Sequence, residues 1–461
     1  MKVKIGFEIH VQLNTKQKLF CKCSTDYRDK EPNTNICPIC TGQPGSKPMP
    51  PNLEAIKNVI KVGLILGCKP NYGKVYFLRK HYFYPDLPKN YQITSEPLMI
   101  NGNFFGVRIR EVHLEEDPGR YDLRNGYVDF NRSGVPLAEI VTEPDIESPE
   151  QAKEWLEKLF LYLKYSKAIK DDPGSIRVDV NISIEGGERV EIKNVNSIEG
   201  VYYALKYEIL RQKRLIESGE KVKRETRHYD EEKRITVPLR EKETIADYRY
   251  IPDPDLNPMI ITEELINEVR KEIITPKDIE NELKSLGLKE TYIERLLPDP
   301  EFALLSVEIL SKTGLEKNYV AEIIVSRLRK VQYDLKLDSP ELKERLNIDW
   351  FLELVKKVKN FEIPEKYFNE IIRVMLSENK NPIEYAKEKG YIVISDKDLI
   401  EKTVEEVLKE EKKALEEYLQ GNKKVYNYLF GRIMKKLKGK ANPKVVKEIL
   451  DRKLVVLSSV S

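Results

Sequence analysis

A carboxylate, an imidazole and an amide alternate with apolar side chains near the N-terminus. In the stretch 5–13, Glu8, His10 and Gln12 occupy every second position. Successive side chains of a β-strand point to opposite faces, so the stretch predicts a strand with one apolar and one polar face. Side chains two positions apart are neighbours on such a face. Glu8 and His10 could therefore hold a metal ion together, provided that other strands supply further oxygens.

Further carboxylates occur in the segments 107–116 and 135–142, which also have strand character. Carboxylates gathered on one sheet face repel one another unless a cation neutralises them, and Mg²⁺ held by carboxylates is common in enzymes that use ATP. The predicted ligands of this magnesium site are Glu8, His10, Glu115, Glu116 and Glu139. The alternative is a set of solvated strand faces with surface ion pairs.

A second polar face is predicted further along the chain. The run 177–184 alternates cleanly, and the run 191–196 follows a Gly186-Gly187 turn. The two runs predict an antiparallel hairpin with one apolar and one polar face. The polar face would carry Arg177, Asp179, Asn181, Ser183, Glu191 and Lys193. By itself this face has the composition of a solvated surface.

Two closely spaced cysteine pairs lie in one loop, Cys21 with Cys23 and Cys37 with Cys40. Four thiolates at such spacings predict a structural zinc site that clamps a loop too small to have its own core. The first pair has one intervening residue, where two or more are commoner. Inert buried thiols and disulfides are the alternatives. Cys68 lies among aliphatic residues and is expected in the core.

Two distant segments, 79–86 and 247–252, combine cations with aromatic rings. Such a combination can hold phosphates and stack on an adenine or another base. The candidate nucleotide-binding residues are Arg79, Lys80, Tyr82 and Arg249. Rigid, proline-bounded structural corners are the alternative interpretation.

The composition limits the classes of protein that the chain can be. Its 461 residues have a net charge of +3, with 40% hydrophobic and 34% charged residues. No apolar run has the length of a membrane span, so we expect a cytoplasmic protein with no membrane partner. The near-neutral charge means that any nucleic-acid surface must be local. One candidate is a C-terminal cluster of Lys435, Lys436, Lys438, Lys440, Lys444 and Lys447, for which a solvated surface is the alternative.

The elements that must position these residues change type along the chain. Residues 1–290 contain alternating strand patterns and predicted helices, whereas residues 291–394 and 395–461 have helical periodicity, with Ser395 as a helix N-cap. The sequence therefore predicts an α+β fold. A mainly antiparallel sheet, backed by helices and with a carboxylate-rich front, would be followed by all-helical domains.

Together these motifs resemble the B subunit of the tRNA-dependent amidotransferases that convert Glu-tRNA(Gln) to Gln-tRNA(Gln) and Asp-tRNA(Asn) to Asn-tRNA(Asn). The resemblance extends over nearly the whole chain. Its matching segments are 5–13, 19–23, 37–45, 79–93, 113–117, 131–145, 174–183, 191–197, 225–227, 247–256 and 439–443. The archaeal relative specific for Glu-tRNA(Gln) has an inserted domain, for which this chain has no room.

The resemblance implies a domain organisation and an activity. Residues 1–290 would form a glutamine-synthetase-like cradle with the zinc loop, residues 291–394 a helical domain, and residues 395–461 a tail that binds tRNA. ATP would activate the aminoacyl carboxylate as an acyl phosphate. Ammonia would come from a glutaminase partner, the amidase-type A subunit, and a small C subunit would complete a heterotrimer.

The same resemblance extends the catalytic set beyond the two metal-ligand candidates of the first strand. The predicted catalytic residues are Glu8, His10, Arg177, Asp179, Asn181 and Lys193, the last four positioning phosphates or the aminoacyl end. ATP, Mg²⁺ and structural Zn²⁺ are the expected cofactors. A non-catalytic tRNA-binding scaffold and a ligase acting on a free amino acid are the alternative functions.

The chain departs from the family pattern at a few positions. Asp171-Asp172-Pro173 stands where Met-Glu-Glu is usual, Asn90 and Ala246 replace Gly and His, and Pro118 replaces Ala. The first departure lies at the expected mouth of the site, and we assign its two aspartates no role.

Overall fold

The computed structural model describes residues 1–122, 124–239, 248–393 and 397–458. It divides into two compact units, Met1–Pro276 and Lys277–Ser461. The first unit contains the strands and the second contains helices. This arrangement confirms the predicted fold class, a mainly antiparallel sheet followed by helical domains.

The strands of the first unit are short except for the three that carry most of the predicted site, β1, β7 and β11. In chain order the strands are β1 Val3–Gln12, β2 Lys69–Pro70, β3 Gly73–Val75, β4 Phe77–His81, β5 Tyr91–Ser95, β6 Met99–Phe104, β7 Val107–Glu116, β8 Arg120–Asp122, β9 Tyr127–Asp129, β10 Pro136–Thr142, β11 Ile176–Ile184, β12 Val190–Val195, β13 Glu225–Asp230, β14 Ile235–Pro238, β15 Arg249–Pro252 and β16 Met259–Ile261.

Helices occur in both units. Those of the first unit are α1 Leu53–Ile65, α2 Pro149–Tyr165, α3 Ile198–Glu217 and α4 Glu263–Lys271. The next is α5 Pro276–Ser285, and those of the second unit are α6 Glu290–Leu296, α7 Pro300–Lys312, α8 Lys317–Ile323, α9 Arg329–Asp334, α10 Ser339–Arg345, α11 Ile348–Lys359, α12 Phe368–Glu378, α13 Pro382–Glu388, α14 Lys397–Glu410, α15 Lys412–Leu419, α16 Val425–Lys436 and α17 Pro443–Ser458. A π-helical turn, Ile324–Leu328, joins α8 to α9, and a 3₁₀ turn, Glu365–Tyr367, precedes α12.

The main sheet has β1 in its interior. Its strands follow the order β14-β13-β12-β11-β1-β10-β7-β5-β4-β15, with β6 also paired to β7. Each pairing is antiparallel except that of β12 with β13. The predicted hairpin corresponds to β11 and β12, and the predicted strands 107–116 and 135–142 correspond to β7 and β10.

One face of the sheet is covered by α1, α2 and α3. Ile5, Phe7 and Ile9 on β1 are no more than 1% exposed and belong to the same core as residues of these helices. Phe7 packs on Trp155 of α2 with ring centroids 6.0 Å apart. Because alternate residues of β1 are fixed in this core, Glu8, His10 and Gln12 must point to the opposite face.

The second unit contains a separate C-terminal core. Val404, Leu429, Ile433 and Leu450 are buried together, on α14, α16 and α17. Within the predicted helical region 395–461, α14 ends at Glu410 and α15 begins at Lys412, so the helix is interrupted at Glu411. The expected N-cap at Ser395 lies outside the described residues. Within the part of the chain that the structure describes, no helix is both long and apolar enough to cross a membrane.

A buried ionic network fastens α3 to the hairpin formed by β13 and β14. The Glu208 side chain is fully buried and accepts hydrogen bonds from Gln212 at 2.9 Å and Thr236 at 2.7 Å. Arg211 and Arg227 lie 2.5 and 3.5 Å from its oxygens. Burial alone would raise the pKa of Glu208, but these partners lower it. The carboxylate therefore holds two arginines in place at the edge of the sheet.

Replacing Glu208 by Ala should destabilise the first unit by about 3 kcal/mol, because two largely buried guanidinium groups then share Glu225 as their remaining carboxylate partner among the described residues. Thermal and denaturant unfolding of the full chain would measure this. The matched control is Glu217→Ala, an exposed position on the same helix, with an expected change of no more than about 0.5 kcal/mol. Equal effects of the two substitutions would contradict a structural role for the network.

Candidate active site and cysteine cluster

The register of the sheet brings the predicted site residues onto one face. His10 lies directly opposite Glu139 of β10 and Arg177 of β11. Glu8 lies opposite Asp179. Residues opposite each other in a ladder point to the same side, so the polar face of β1 continues onto both neighbouring strands.

The first cluster on this face consists of His10, Glu115 and Glu139. The Nε2 atom of His10 lies 3.7 Å from Glu115 Oε2 and 3.9 Å from Glu139 Oε1. One ligand atom from each residue lies within 4.8 Å of the other two. Glu115 is 2% exposed, so its carboxylate is almost completely removed from bulk water.

The ionisation of the first cluster reflects burial and close like charge. Burial and the neighbouring Glu115 raise the pKa of Glu139 well above its usual value. Burial would also raise the pKa of Glu115, but Lys80 and His10 outweigh it and the pKa is lowered. Burial lowers the pKa of His10. Burial and like charge thus disfavour ionisation of both carboxylates at once, whereas a bound cation would favour it.

A second cluster consists of Glu8, Asp179 and Glu191, again with ligand atoms within 4.8 Å of one another. Burial, together with the other two carboxylates, raises the pKa of Glu8. The backbone N–H of Asn194 donates to Asp179 Oδ1 at 2.7 Å. Lys193 Nζ lies 3.8 Å from Glu191 Oε1. This cluster lies beside the first because Glu8 and His10 are two residues apart on β1.

Both clusters have dimensions that suit a small hard cation. Octahedral Mg²⁺ binds oxygens at about 2.1 Å, which places neighbouring ligands about 3 Å apart and opposite ones about 4.2 Å apart. The observed spacing falls within reach of that geometry without movement of the strands. Each cluster therefore has a donor set and a spacing that one such cation could use.

Glu116 does not join either cluster. It forms an ion pair with Lys89 and accepts a hydrogen bond from the backbone N–H of Ile93 at 3.3 Å. Neighbouring residues of a strand point to opposite faces, so Glu115 and Glu116 could not both line the same site. The five predicted magnesium ligands are thus divided into four on the site face and one on the other.

The same alternation divides the predicted nucleotide-binding residues. The side chains of Lys80 and Tyr82 lie on the site face. Lys80 is opposite Gln92 in the sheet, and Gln92 contacts Glu115 at 3.3 Å. The Nζ atom of Lys80 lies 4.7 Å from the centroid of the Tyr248 ring. Arg79 has the other phase and donates to Asp253 at 2.8 Å.

Arg249 has the same phase as Arg79 and lies opposite His81 on β4. Its backbone carbonyl lies 3.0 Å from His81 Nδ1, and its side chain is exposed. The structure therefore brings Lys80 and Tyr82, but not Arg79 and Arg249, to the face that carries the two clusters.

The four cysteines of the loop converge as predicted. The sulfur atoms of Cys21, Cys23, Cys37 and Cys40 all lie within 4.8 Å of one another. In a tetrahedral zinc site, Zn–S bonds of about 2.3 Å place the sulfur atoms about 3.8 Å apart. The donor set and its spacing therefore fit zinc.

The electrostatics of the cysteine cluster also favour a cation. A hydrogen bond from Cys21, aided by the Lys18 ammonium group, lowers the pKa of Cys40 to about 4. Burial and Cys40 raise the pKa of Cys23 to about 11. One thiolate is thus stabilised by its neighbours, whereas four would repel one another unless a divalent ion balanced them. The Lys18 side chain is buried and donates to Cys40 Sγ at 3.4 Å and to the Asn35 carbonyl at 3.0 Å.

Part of the lysine cluster on the C-terminal helices is already neutralised by ion pairs. Lys436 is ion-paired with Glu406 and Glu410 at 3.0 and 2.6 Å. Nevertheless, residues 421–447 include no aspartate or glutamate. The last helices of the second unit therefore carry a local excess of positive charge.

Sequence reasoning placed Glu191 on a polar face but did not include it among the metal ligands. The signal that could have identified it is the hairpin register, which sets Glu191 opposite Asn181 and so near Asp179.

Among the positions that depart from the family pattern, Asn90 adopts a φ of 60°, a left-handed conformation that Asn tolerates well in place of Gly. Ala246 lies outside the described residues.

Paired acidic clusters with flanking lysines on an antiparallel sheet are an arrangement that an enzyme could use to bind metal ions, and the sequence comparisons give the family. Residues 3–267 match the family described as "GatB/GatE catalytic domain", and residues 306–454 match the "GatB domain". The chain belongs to this family.

Full-length relatives agree with this assignment. Proteins named as the B subunit of aspartyl/glutamyl-tRNA(Asn/Gln) amidotransferase, from Methanocaldococcus jannaschii and Methanopyrus kandleri, are 45% and 44% identical to this chain. Each alignment covers 98% of both proteins. The protein of the same name from Methanothermobacter thermautotrophicus is 44% identical over 98% of this chain and 100% of its own length. These findings confirm the resemblance inferred from the sequence.

The cysteine cluster should bind one zinc ion per chain. Substituting Cys37 by Ser should abolish zinc retention, since the site loses one of its four Zn–S bonds, and should make the loop sensitive to protease. Elemental analysis of the purified chain would measure this. Cys68→Ala, which removes a thiol outside the cluster, is the matched control and should retain zinc. Zinc-free wild-type protein with a protease-resistant loop would contradict the prediction.

Proposed function

We propose that this chain is the amidating subunit of a tRNA-dependent amidotransferase. It would convert Glu-tRNA(Gln), and also Asp-tRNA(Asn), to Gln-tRNA(Gln) and Asn-tRNA(Asn) in an ATP-dependent reaction. The main support for this proposal is the pair of acidic clusters on one face of the sheet. In addition, 98% of the chain aligns with a protein named as the B subunit of such an enzyme.

The chemistry requires activation of the substrate carboxylate. Attack of ammonia on a free carboxylate would have to expel an oxide, which is a poor leaving group. Transfer of the γ-phosphoryl group of ATP to the carboxylate gives an acyl phosphate and ADP. Ammonia then displaces phosphate to give the amide. The protein contributes mainly positioning and charge stabilisation to both steps.

The residues of the site face have distinct roles in this proposal. Glu8, His10, Glu115 and Glu139, with Asp179 and Glu191, would hold two Mg²⁺ ions. These ions, when bound, neutralise the phosphate charge. Arg177, Asn181 and Lys193 would orient the phosphates or the aminoacyl end, and Lys80 and Tyr82 would contact the nucleotide. The side chains of Arg79 and Glu116 are paired elsewhere and that of Arg249 is exposed, so the proposal gives these three residues no direct role.

The partners follow from the same proposal. The chain itself offers no nucleophile motif for glutamine hydrolysis, so ammonia would come from an amidase-type A subunit, with a small C subunit completing a cytoplasmic heterotrimer. The cysteine loop would hold structural Zn²⁺. The C-terminal helices, with their excess of lysine, would contact tRNA phosphates.

Two other functions make different predictions about the substrate. A scaffold that only binds tRNA would not need anionic clusters, because carboxylates repel phosphates. A ligase for a free amino acid would not need a lysine-rich helical region. Measuring γ-phosphoryl transfer to Glu-tRNA(Gln), Asp-tRNA(Asn) and free glutamate separates the three functions.

Substituting His10 by Ala, or Glu139 by Gln, should lower ATP-dependent amidation by the assembled complex at least about 100-fold, because each change removes a metal ligand from the first cluster. Glutamine hydrolysis by the partner subunit should persist. The assay follows formation of Gln-tRNA and release of ADP.

The matched control is Glu157→Gln, since this exposed carboxylate lies on α2, which covers the opposite face of the sheet. It should amidate at the wild-type rate. Unchanged amidation in both His10→Ala and Glu139→Gln would exclude the proposed metal site, whereas phosphoryl transfer to free glutamate alone would favour the free-amino-acid ligase.

Replacing Lys435, Lys438 and Lys444 by Gln should weaken tRNA binding and reduce the slope of log affinity against log salt by about one per lysine. Binding of the full complex to tRNA(Gln) would be titrated at several salt concentrations. The control triple replaces exposed lysines of α14 by Gln, at Lys397, Lys402 and Lys409. An equal loss in both triples would argue against a specific tRNA surface on the last helices.

A further inference from the structure

Arg28, in the loop between the two cysteine pairs, is held by four hydrogen bonds. Its Nη2 donates to Gln12 Oε1 at 2.7 Å and to Ser175 Oγ at 2.8 Å. Its Nη1 donates to Asp172 Oδ2 at 3.1 Å and its Nε to the Pro173 carbonyl at 3.2 Å. The cysteine loop is thereby attached both to the end of β1 and to the segment that departs from the family pattern.

Gln12 connects this arginine to a buried carboxylate. The Gln12 side chain is fully buried, and its Nε2 donates to Asp117 Oδ2 at 2.8 Å and to the Tyr27 hydroxyl at 2.9 Å. Because Arg28 can only donate and ionised Asp117 can only accept, the amide has a single favourable orientation. A cation on one side and an anion on the other also polarise the amide, which strengthens both hydrogen bonds.

Asp117 in turn holds Arg177, the arginine opposite His10. Arg177 Nη2 donates to Asp117 Oδ1 at 2.7 Å, and Asp117 is 1% exposed. Arg132 Nε lies 3.6 Å from the same oxygen, so two guanidinium groups flank this carboxylate. Among the described residues, the Arg177 guanidinium group makes no other hydrogen bond, and its remaining N–H groups are available to an anion.

We propose that Arg28, Gln12 and Asp117 form a positioning relay that sets the orientation of Arg177 from the cysteine loop. The inference rests on the proposed function, in which Arg177 binds a phosphate or the aminoacyl end. A guanidinium group recognises an oxyanion through paired, directional bonds, so a small rotation costs binding. The cysteine loop would thus contribute to substrate binding through Arg28.

The relay assigns functions to parts of the chain that the reaction itself leaves unexplained. Gln12 and Asp117 lie in two of the segments that carry the family resemblance, yet neither belongs to the metal clusters. Asp172 becomes a partner of Arg28, with its carboxylate on the departing segment. Asp171 is paired with Lys164 at 2.8 Å and is not part of the relay.

The test is a double-mutant cycle in the assembled complex. Arg28→Lys keeps the charge but loses the fork that contacts four acceptors. Arg177→Lys should raise the KM for ATP or for Glu-tRNA(Gln) roughly ten-fold, the loss expected for one charge-assisted hydrogen bond. Arg28→Lys should raise the same KM several-fold with a smaller change in kcat. The KM of the double variant should exceed that of Arg177→Lys by no more than about two-fold, because the relay acts only through Arg177.

Two further variants separate positioning from folding. Lys30→Ala, an exposed position of the same loop, should leave both KM values unchanged. Gln12→Met keeps the volume of the side chain but breaks the relay, and it should raise the same KM as Arg28→Lys. Zinc content is measured for every variant, so that a loop that has lost its metal is recognised.

Independent, multiplicative effects of Arg28→Lys and Arg177→Lys would overturn the relay. So would a zinc-replete Gln12→Met variant with normal KM values. If Arg177→Lys itself changes neither KM, both the relay and the proposed role of Arg177 are wrong. The His10 and Glu139 variants would still test separately whether the chain amidates tRNA.

Discussion

The alternation of side chains along β1 is the constraint on which the rest of the site depends. Ile5, Phe7 and Ile9 are fixed in the core beneath the sheet, and this fixes the direction of Glu8 and His10. Because β1 has a partner on each side, its polar face is extended by Glu139 and by Asp179 into two adjacent acidic clusters. A slip of one residue in the register would bury the carboxylates and expose the core, so packing of the apolar face also determines the geometry of the site.

Concentrating carboxylates in a sheltered place costs free energy, and the structure offsets this cost locally. Lys80 and Lys193 lie beside the two clusters, and burial together with Glu115 raises the pKa of Glu139. The same principle applies to the cysteine loop, where Lys18 and a hydrogen bond stabilise one thiolate. In both places the residual negative charge is what a divalent cation would neutralise. Stability of the apoprotein and affinity for metal are therefore opposed at these sites.

A series of hydrogen-bonded polar side chains connects the cysteine loop to the sheet face that carries the two acidic clusters. Arg28, Gln12 and Asp117 each make hydrogen bonds, as polar groups removed from water require. Small loops without a core of their own need such anchors, and here the anchor ends at Arg177. The loop is thereby coupled to the site through specific geometry rather than through general packing.

The strands that carry the site, the cysteine cluster and the family could all be predicted from the sequence. These are local properties, because alternation, cysteine spacing and motif order can all be read from neighbouring residues. The sequence did not determine which of two adjacent residues faces the site. A β-bulge where β7 pairs with β10 changes the phase of alternation, so that Leu114 enters the core and Glu115 the site. Glu116 then takes the other face and pairs with Lys89. Likewise, Lys80 faces the site and Arg79 does not, and Gln12 meets Arg28 only after the loop folds back. Such outcomes depend on register and contacts between distant segments, which only the tertiary structure decides.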